Sequence, residues 1–148
     1  MKIFLSNKHI LLTITFSLFF LCIYAQPQLD WRVMQEVTYD PGFDEETKSV
    51  ITSPHYPDEL EKLDRKEVLI KGYIIPMDTE GKEYVVSAFP NSSCFFCGNA
   101  TKESVMELGL AEEGKRFKLD QVATFKGILV LNKGAYGLNY RLEEAQIQ

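Results

Sequence analysis

The chain predicts a mostly β fold: a small five-stranded Greek-key barrel of the oligonucleotide/oligosaccharide-binding (OB) type, with short helical turns. A β-sandwich is the alternative arrangement. Three observations carry the expectation. From Glu67 onward, β-branched and aromatic runs recur between turn signals. Two of those runs, Ile70-Lys71-Gly72-Tyr73-Ile74 and Phe125-Lys126-Gly127-Ile128-Leu129, share an interior Lys-Gly. Glycine weakens a strand, so two at matching places mark a bulge or sharp coiling at a barrel corner.

The elements follow in order. Gln26 to Thr38 matches two templates, a helical stripe of Trp31, Met34 and Val37 and a strand alternation of Trp31, Val33, Val37 and Tyr39, so its type stays open. Asp40-Pro41-Gly42 reads as a turn, with Pro fixing φ and Gly supplying a positive φ after it. Phe43 to Pro57 reads as polar and irregular, ending in Ser53-Pro54-His55-Tyr56-Pro57. Pro57-Asp58-Glu59-Leu60 opens one or two helical turns, with carboxylates near the positive end of the dipole. Val68 to Ile75 is a strand that Pro76 ends, Asp78-Thr79-Glu80-Gly81 a turn, and Glu83 to Phe89 the returning strand. Thr101-Lys102-Glu103 reads as a cap and short turn. Ser104 to Leu110 is assigned to strand over helix, and Glu112 to Lys115 turns the chain. Val122 to Leu131 is a second strong strand and Leu138 to Ile147 closes the set.

Lys2, Lys8 and His9 precede a nearly unbroken apolar run from Ile10 to Tyr24, and Ala25 offers a small residue for cleavage before Gln26-Pro27. That order is the order of a secretory signal. The run is shorter than the roughly 20 apolar residues a helix needs to cross a bilayer, which argues against an uncleaved anchor. Lipid attachment at Cys22 is disfavoured by the bulky Leu21 before it. The expected organisation is therefore a leader over 1–25, an N-terminal extension with loops over 26–66, and a barrel over 67–148. The expected location is periplasmic or secreted, with no transmembrane span in the mature chain.

Lys2 and Lys8 leave with the leader, taking the formal charge from −5 to −7. An acidic module without a basic cluster has no electrostatic footprint for nucleic acid. No G-x-S-x-G, P-loop, paired-histidine or Rossmann motif occurs, and no catalytic residue is assigned.

Chemistry concentrates in Cys94-Phe95-Phe96-Cys97-Gly98, since cleavage leaves Cys94 and Cys97 as the two remaining thiols of the three cysteines. Three readings stand. Exported thiols oxidise, so the pair can be a structural disulfide, though closing so short a loop contributes only about 2 kcal/mol. C-x-x-C also lets two sulfurs converge on zinc or copper(I). A closed zinc shell wants four ligands, and His55 is the one imidazole left after cleavage to help. The third reading is a thiol–disulfide oxidoreductase, which would place the first Cys at a helix N-terminus; Gly98-Asn99-Ala100 and the bulky Phe95-Phe96 fit that poorly. His55 by default is a surface imidazole. Asn91-Ser92-Ser93 and Asn99-Ala100-Thr101 match the glycosylation sequon, and turn chemistry explains them equally. Tyr73, Tyr84, Phe89, Phe95 and Phe96 read as core aromatics before they read as a stacking face.

On Trp31, Val68-Leu69-Ile70-Lys71-Gly72-Tyr73-Ile74-Ile75-Pro76, Ser92-Ser93-Cys94-Phe95-Phe96-Cys97-Gly98, Glu103-Ser104-Val105, Gly127, Leu131-Asn132 and Asn139-Tyr140-Arg141-Leu142, the chain resembles a family of small secreted bacterial proteins of uncharacterised role. It is also distantly similar to the bacterial domain of unknown function DUF3299. Some members of that family lie near metal transporters, which implies a metal ion or an envelope transport protein as partner. Relatives of this kind often carry Gly-Pro before Glu-Ser-Val where this chain has Thr101-Lys102. The sequence thus reads as an exported β-barrel binding module holding a soft metal at Cys94 and Cys97, with His55 as a further ligand. A structural disulfide in a protein-interaction domain and an oxidoreductase are the alternatives.

Overall fold

The computed structural model describes residues 26–91, 101–112 and 114–148. The expected leader, Cys22, Cys94 and Cys97 lie outside the described residues. Where the apolar residues alternate, the chain forms strands. β3 (Glu67–Pro76) turns Val68, Ile70 and Ile74 inward, and β6 (Gln121–Leu131) does the same with Ala123, Phe125, Leu129 and Leu131. β4 (Tyr84–Ser87), β5 (Val105–Leu110) and β7 (Tyr140–Ile147) complete a closed barrel in the order β3-β4-β5-β7-β6. Every seam is antiparallel except β5 with β7, which is parallel. This is the OB-like mixed barrel expected from the sequence, and its closure excludes the sandwich.

Both interior glycines have a steric reason. A Cβ on Gly72 would lie 2.5 Å from the Ser87 carbonyl oxygen and 2.7 Å from Val86 Cγ2. Gly72 stands where β3, still paired with β6 on one edge, gains β4 on the other, since its pairing with β4 starts at Tyr73. A Cβ on Gly127 would meet the Glu143 carbonyl oxygen and Leu142 Cγ, each at 2.7 Å. The β6–β7 register slips opposite Gly127: one β6 residue between Lys126 and Ile128 faces two on β7, Glu144 and Ala145, so the bulge lies on β7, where Glu144 takes a φ of 53°.

The N-terminal part departs from expectation. Trp31–Met34 is one helical turn, α1, capped by the Asp30 carboxylate on the Arg32 N–H. Asp40-Pro41-Gly42, expected to turn, lies inside β1 (Thr38–Asp44). The segment expected to be irregular holds β2 (Ser49–His55), paired antiparallel with β1 from Thr38↔His55 to Asp44↔Ser49. The turn falls at 45–48 instead, where Asp44 Oδ1 accepts from the N–H groups of Glu46 and Thr47, and Lys48 takes a φ of 54°. Proline is tolerated in β1 because a two-stranded ribbon is all edge. The helical turn expected after Pro57 is present as α2 (Asp58–Glu61), its Leu60 buried under the barrel. Before α1, Leu29 N–H donates to the Leu69 carbonyl and Leu69 N–H to that of Pro27, filling the edge of β3 that β4 does not reach.

Candidate functional site

Three places concentrate chemistry. The first is the exit and return of the segment that carries Cys94 and Cys97. After β4, Ala88 N–H donates to the Ser104 carbonyl at 3.0 Å, and Asn91 N–H to Asp120 Oδ1 at 2.6 Å. The chain returns through a 3₁₀ turn, Lys102–Ser104, closed by a capping box: Thr101 N–H donates to Ser104 Oγ at 3.0 Å. The expected cap and short turn is therefore present, and Ser104 is buried. Both flanks of 92–100 are fastened by hydrogen bonds to the residues that lead into barrel strands, Ser104 before β5 and Asp120 before β6.

The second is a polar cluster beside that turn. Tyr39 on β1 donates its hydroxyl to Glu103 Oε1, and Asn139 Nδ2 donates to the Tyr39 oxygen at 2.7 Å. Tyr56 reaches the carbonyls of Asn132 at 2.7 Å and Asn139 at 2.9 Å, and Tyr140 the carbonyl of Met34 at 2.6 Å. Burial, then the Glu103 hydrogen bond, pushes the Tyr39 phenol up to about 12. Burial raises Tyr56 and Tyr140 as well. Burial opposes ionisation of Glu103, yet hydrogen bonds from Thr101, Tyr39 and its own N–H hold its carboxyl below the ordinary range. The cluster is a clamp: it fastens the β1–β2 hairpin, the 3₁₀ turn and the β6–β7 connection to one barrel end. His55 lies one register step from this clamp, exposed and opposite Thr38. The structure thus brings His55 near the turn that follows residue 100, while no group of three or more His, Cys, Asp or Glu able to hold a metal occurs among the described residues.

The third place is a groove of about 900 Å³ on the outer wall of β4 and β5, between the β3–β4 turn and the connection leaving β5. Strand registers set its floor, since Ile75↔Val85, Val85↔Glu107 and Glu107↔Arg141 form one row across four strands. Glu107 and Arg141 pair at 2.9 Å. The rims carry Glu80–Lys82 at 2.5 Å and Glu112–Lys115 at 3.4 Å, with Glu83 and Arg116 beside them. Gly109 leaves the floor open; β5 runs past the β4 register, whose final pair is Tyr84↔Leu108. Asp78 holds the β3–β4 turn by accepting from the N–H groups of Lys82 and Glu83, which keeps its carboxyl low.

Sequence reasoning missed the clamp and the groove. Tyr39, Tyr56 and Asn139 carry no motif, and their convergence depends on a hairpin the sequence did not announce. The groove residues lie on separate strands, so only register aligns them. Of the expected core aromatics, Tyr84 is buried, with its ring edge-on to Phe117 at 5.2 Å. Phe89 packs on a small apolar cluster of Ile75, Val85 and Val105 outside the barrel. Tyr73 is only half-buried, and Phe95 and Phe96 lie outside the described residues.

Strand order, the parallel closing seam and a groove on the second and third barrel strands define an OB-like barrel module. The chain is similar in structure to a DUF3299 family protein from Pseudomonas aeruginosa PAO1, with a TM-score of 0.50 at 13% sequence identity, over 84% of this chain and 97% of that one. The distant similarity expected from the sequence is present at the level of the fold. No family model and no curated protein matches the sequence. Among the described residues no helix is long and apolar enough to cross a membrane.

Proposed function

We propose that this chain is an exported binding module, not an enzyme, and that its barrel takes a ligand in the groove over β4 and β5. The observation that carries this reading is the groove itself: a concavity of ligand size, on the second- and third-strand face where barrels of this kind bind. Its apolar lining of Met77, Leu110 and Leu138 would supply contact area, and the Glu107–Arg141 pair would fix orientation. Fold-level analogy names the face and not the ligand. The test is amide chemical-shift mapping of the ¹⁵N-labelled protein against a library of short peptides and small oligosaccharides. A binder should move the amides of Val85, Leu108, Gly109 and Leu138, and Arg141→Glu should weaken it without loss of fold. Binders that consistently map elsewhere would remove the reading.

A second site reading has its own support. The fastening at Ala88, Asn91, Thr101 and Ser104 holds the ends of the Cys94/Cys97 segment in place, which lowers the entropic cost of bringing two sulfurs onto one soft ion, zinc or copper(I). Metal analysis of protein isolated from the cell envelope, with Cys94→Ser alongside, decides it. Stoichiometric metal that the variant loses supports the site, and a fully oxidised pair without metal leaves a structural disulfide. Reduction of a generic disulfide substrate by the thiol pair would instead favour the oxidoreductase reading.

A further inference from the structure

The groove over β4 and β5 contains a stretch of strand edge that the barrel leaves bare. β5 pairs with β4 as far as Tyr84↔Leu108 and then runs on through Gly109 to Leu110, where its other edge still meets β7 at Leu110↔Ala145. Two hydrogen bonds fix which way the Leu110 groups face. Ala88 N–H donates to the Ser104 carbonyl, so every second β5 residue from there, through Leu108 to Leu110, turns its N–H and carbonyl to the β4 side. Ala111 N–H donates to the Ala145 carbonyl, so β7 is met by residues 109 and 111 and not by Leu110. The Leu110 N–H and carbonyl have no partner among the described residues. Asp78 is the cause. Lys82 would stand opposite Leu110 if β4 were longer, but its N–H donates to Asp78 Oδ1 at 2.9 Å and the chain turns away.

The surroundings select the occupant. Gly109 has no side chain, and the Arg141 guanidinium lies over it, with Nη2 3.5 Å and Nε 3.6 Å from where a Cβ would stand. Arg141 Nη1 donates to Glu107, while Nε and Nη2 have no acceptor among the described residues. On the rim, Lys82 and Lys115 are paired with Glu80 and Glu112. Exposed Arg116 and exposed Glu83 have no ion-pair partner among the described residues. No exposed aromatic ring lines the groove, since Tyr84 is buried with its hydroxyl donating to the Gly81 carbonyl. A sugar or a nucleotide base has nothing there to stack on. An extended polypeptide has main-chain partners, apolar contacts and a matching charge of each sign.

We infer that the ligand of this groove is an extended peptide segment of another protein, carrying both a carboxylate and a cationic side chain, that adds to β5 in the line β4 vacates. This rests on the groove being the binding site. One ligand residue stands opposite Leu110, its N–H donating to the Leu110 carbonyl and its carbonyl accepting from the Leu110 N–H. The ligand carboxylate meets Arg116 or the open edge of Arg141, and its cation meets Glu83. The chain's net −5 disfavours a segment that is acidic as a whole, so the two ligand charges come together.

The test is selection of the purified protein against displayed random heptapeptides, then NMR titration of ¹⁵N-labelled protein with the strongest synthetic binder. That binder should shift the Leu110 amide and slow its hydrogen exchange. N-methylation of the binder at a single residue should weaken it about tenfold, the worth of one hydrogen bond, with either neighbour tolerant of the same change. Arg116→Glu should weaken it about threefold, and replacing the binder's carboxylate residue by lysine should restore it. No peptide binding above background, a Leu110 amide that does not respond, or indifference to N-methylation at every position overturns the inference. Small oligosaccharides that alone bind and map to Gly109 and Leu138 overturn it while leaving the groove as the site. Peptides that map outside the groove remove both.

Discussion

Glu103 shows how one side chain can set a pH window. Its carboxyl is held below its ordinary value near 4.5, so the folded protein binds this proton less readily than the unfolded chain does. The sign follows from linkage: the contribution is complete above pH 4.5 and is lost as pH falls toward the folded value. Urea midpoints measured from pH 6 downward should therefore decline with acid, and Glu103→Gln should flatten that decline. Tyr39 works in the opposite direction. Its phenol moves from 10 to about 12, so its share of stability is whole below pH 10 and disappears as pH climbs to 12. Tyr39→Phe should remove part of the alkaline loss, while an unchanged profile would place the titrating group elsewhere. Gly72 and Gly127 make a separate residue-scale prediction. Alanine at either drives a methyl into backbone closer than any real contact, with a cost of about 1–3 kcal/mol or more from overpacking. Thermal denaturation of Gly72→Ala and Gly127→Ala should show it, and a neutral result would mean that the strands separate freely there.

At the scale of elements, alternation told the truth where one face is buried and failed where neither is. β3 and β6 alternate because the barrel interior selects every second side chain, and the Lys-Gly steps in both were legible for the same reason. The hairpin has no buried face, so β1 and β2 show no period, and Pro41-Gly42 imitates a turn in the middle of a strand. The helical turn α2 was readable from Pro57 and its carboxylates, while α1 was ambiguous because one turn is too short to separate the two periods. The thiol pair was visible as a motif, but its geometry is not a property of spacing. What holds the connections is a set of single side chains such as Tyr56, whose hydroxyl reaches two carbonyls at the ends of the β6–β7 connection. Tyr56→Phe removes the one hydroxyl hydrogen the two carbonyls share, while that of Asn139 still accepts from the Asn132 N–H, with an expected loss of about 0.5–1.5 kcal/mol. Hydrogen exchange should report it as faster opening around Asn132 and Asn139 than in β3.

Across the whole molecule, closure decides which parts share one stability. A barrel with every edge paired cannot open one strand without breaking two seams, so the amides of β3 to β7 should exchange only through global unfolding. The hairpin belongs to the same chain but not to that closed unit. Its strands bury no residue, and β1 is joined to the body by the hydroxyls and carboxylates of Tyr39, Asp44 and Tyr136. In dilute solution its amides should therefore exchange by local opening, far ahead of the barrel. If β1 and β2 prove as protected as β6, the hairpin is part of the barrel's cooperative unit.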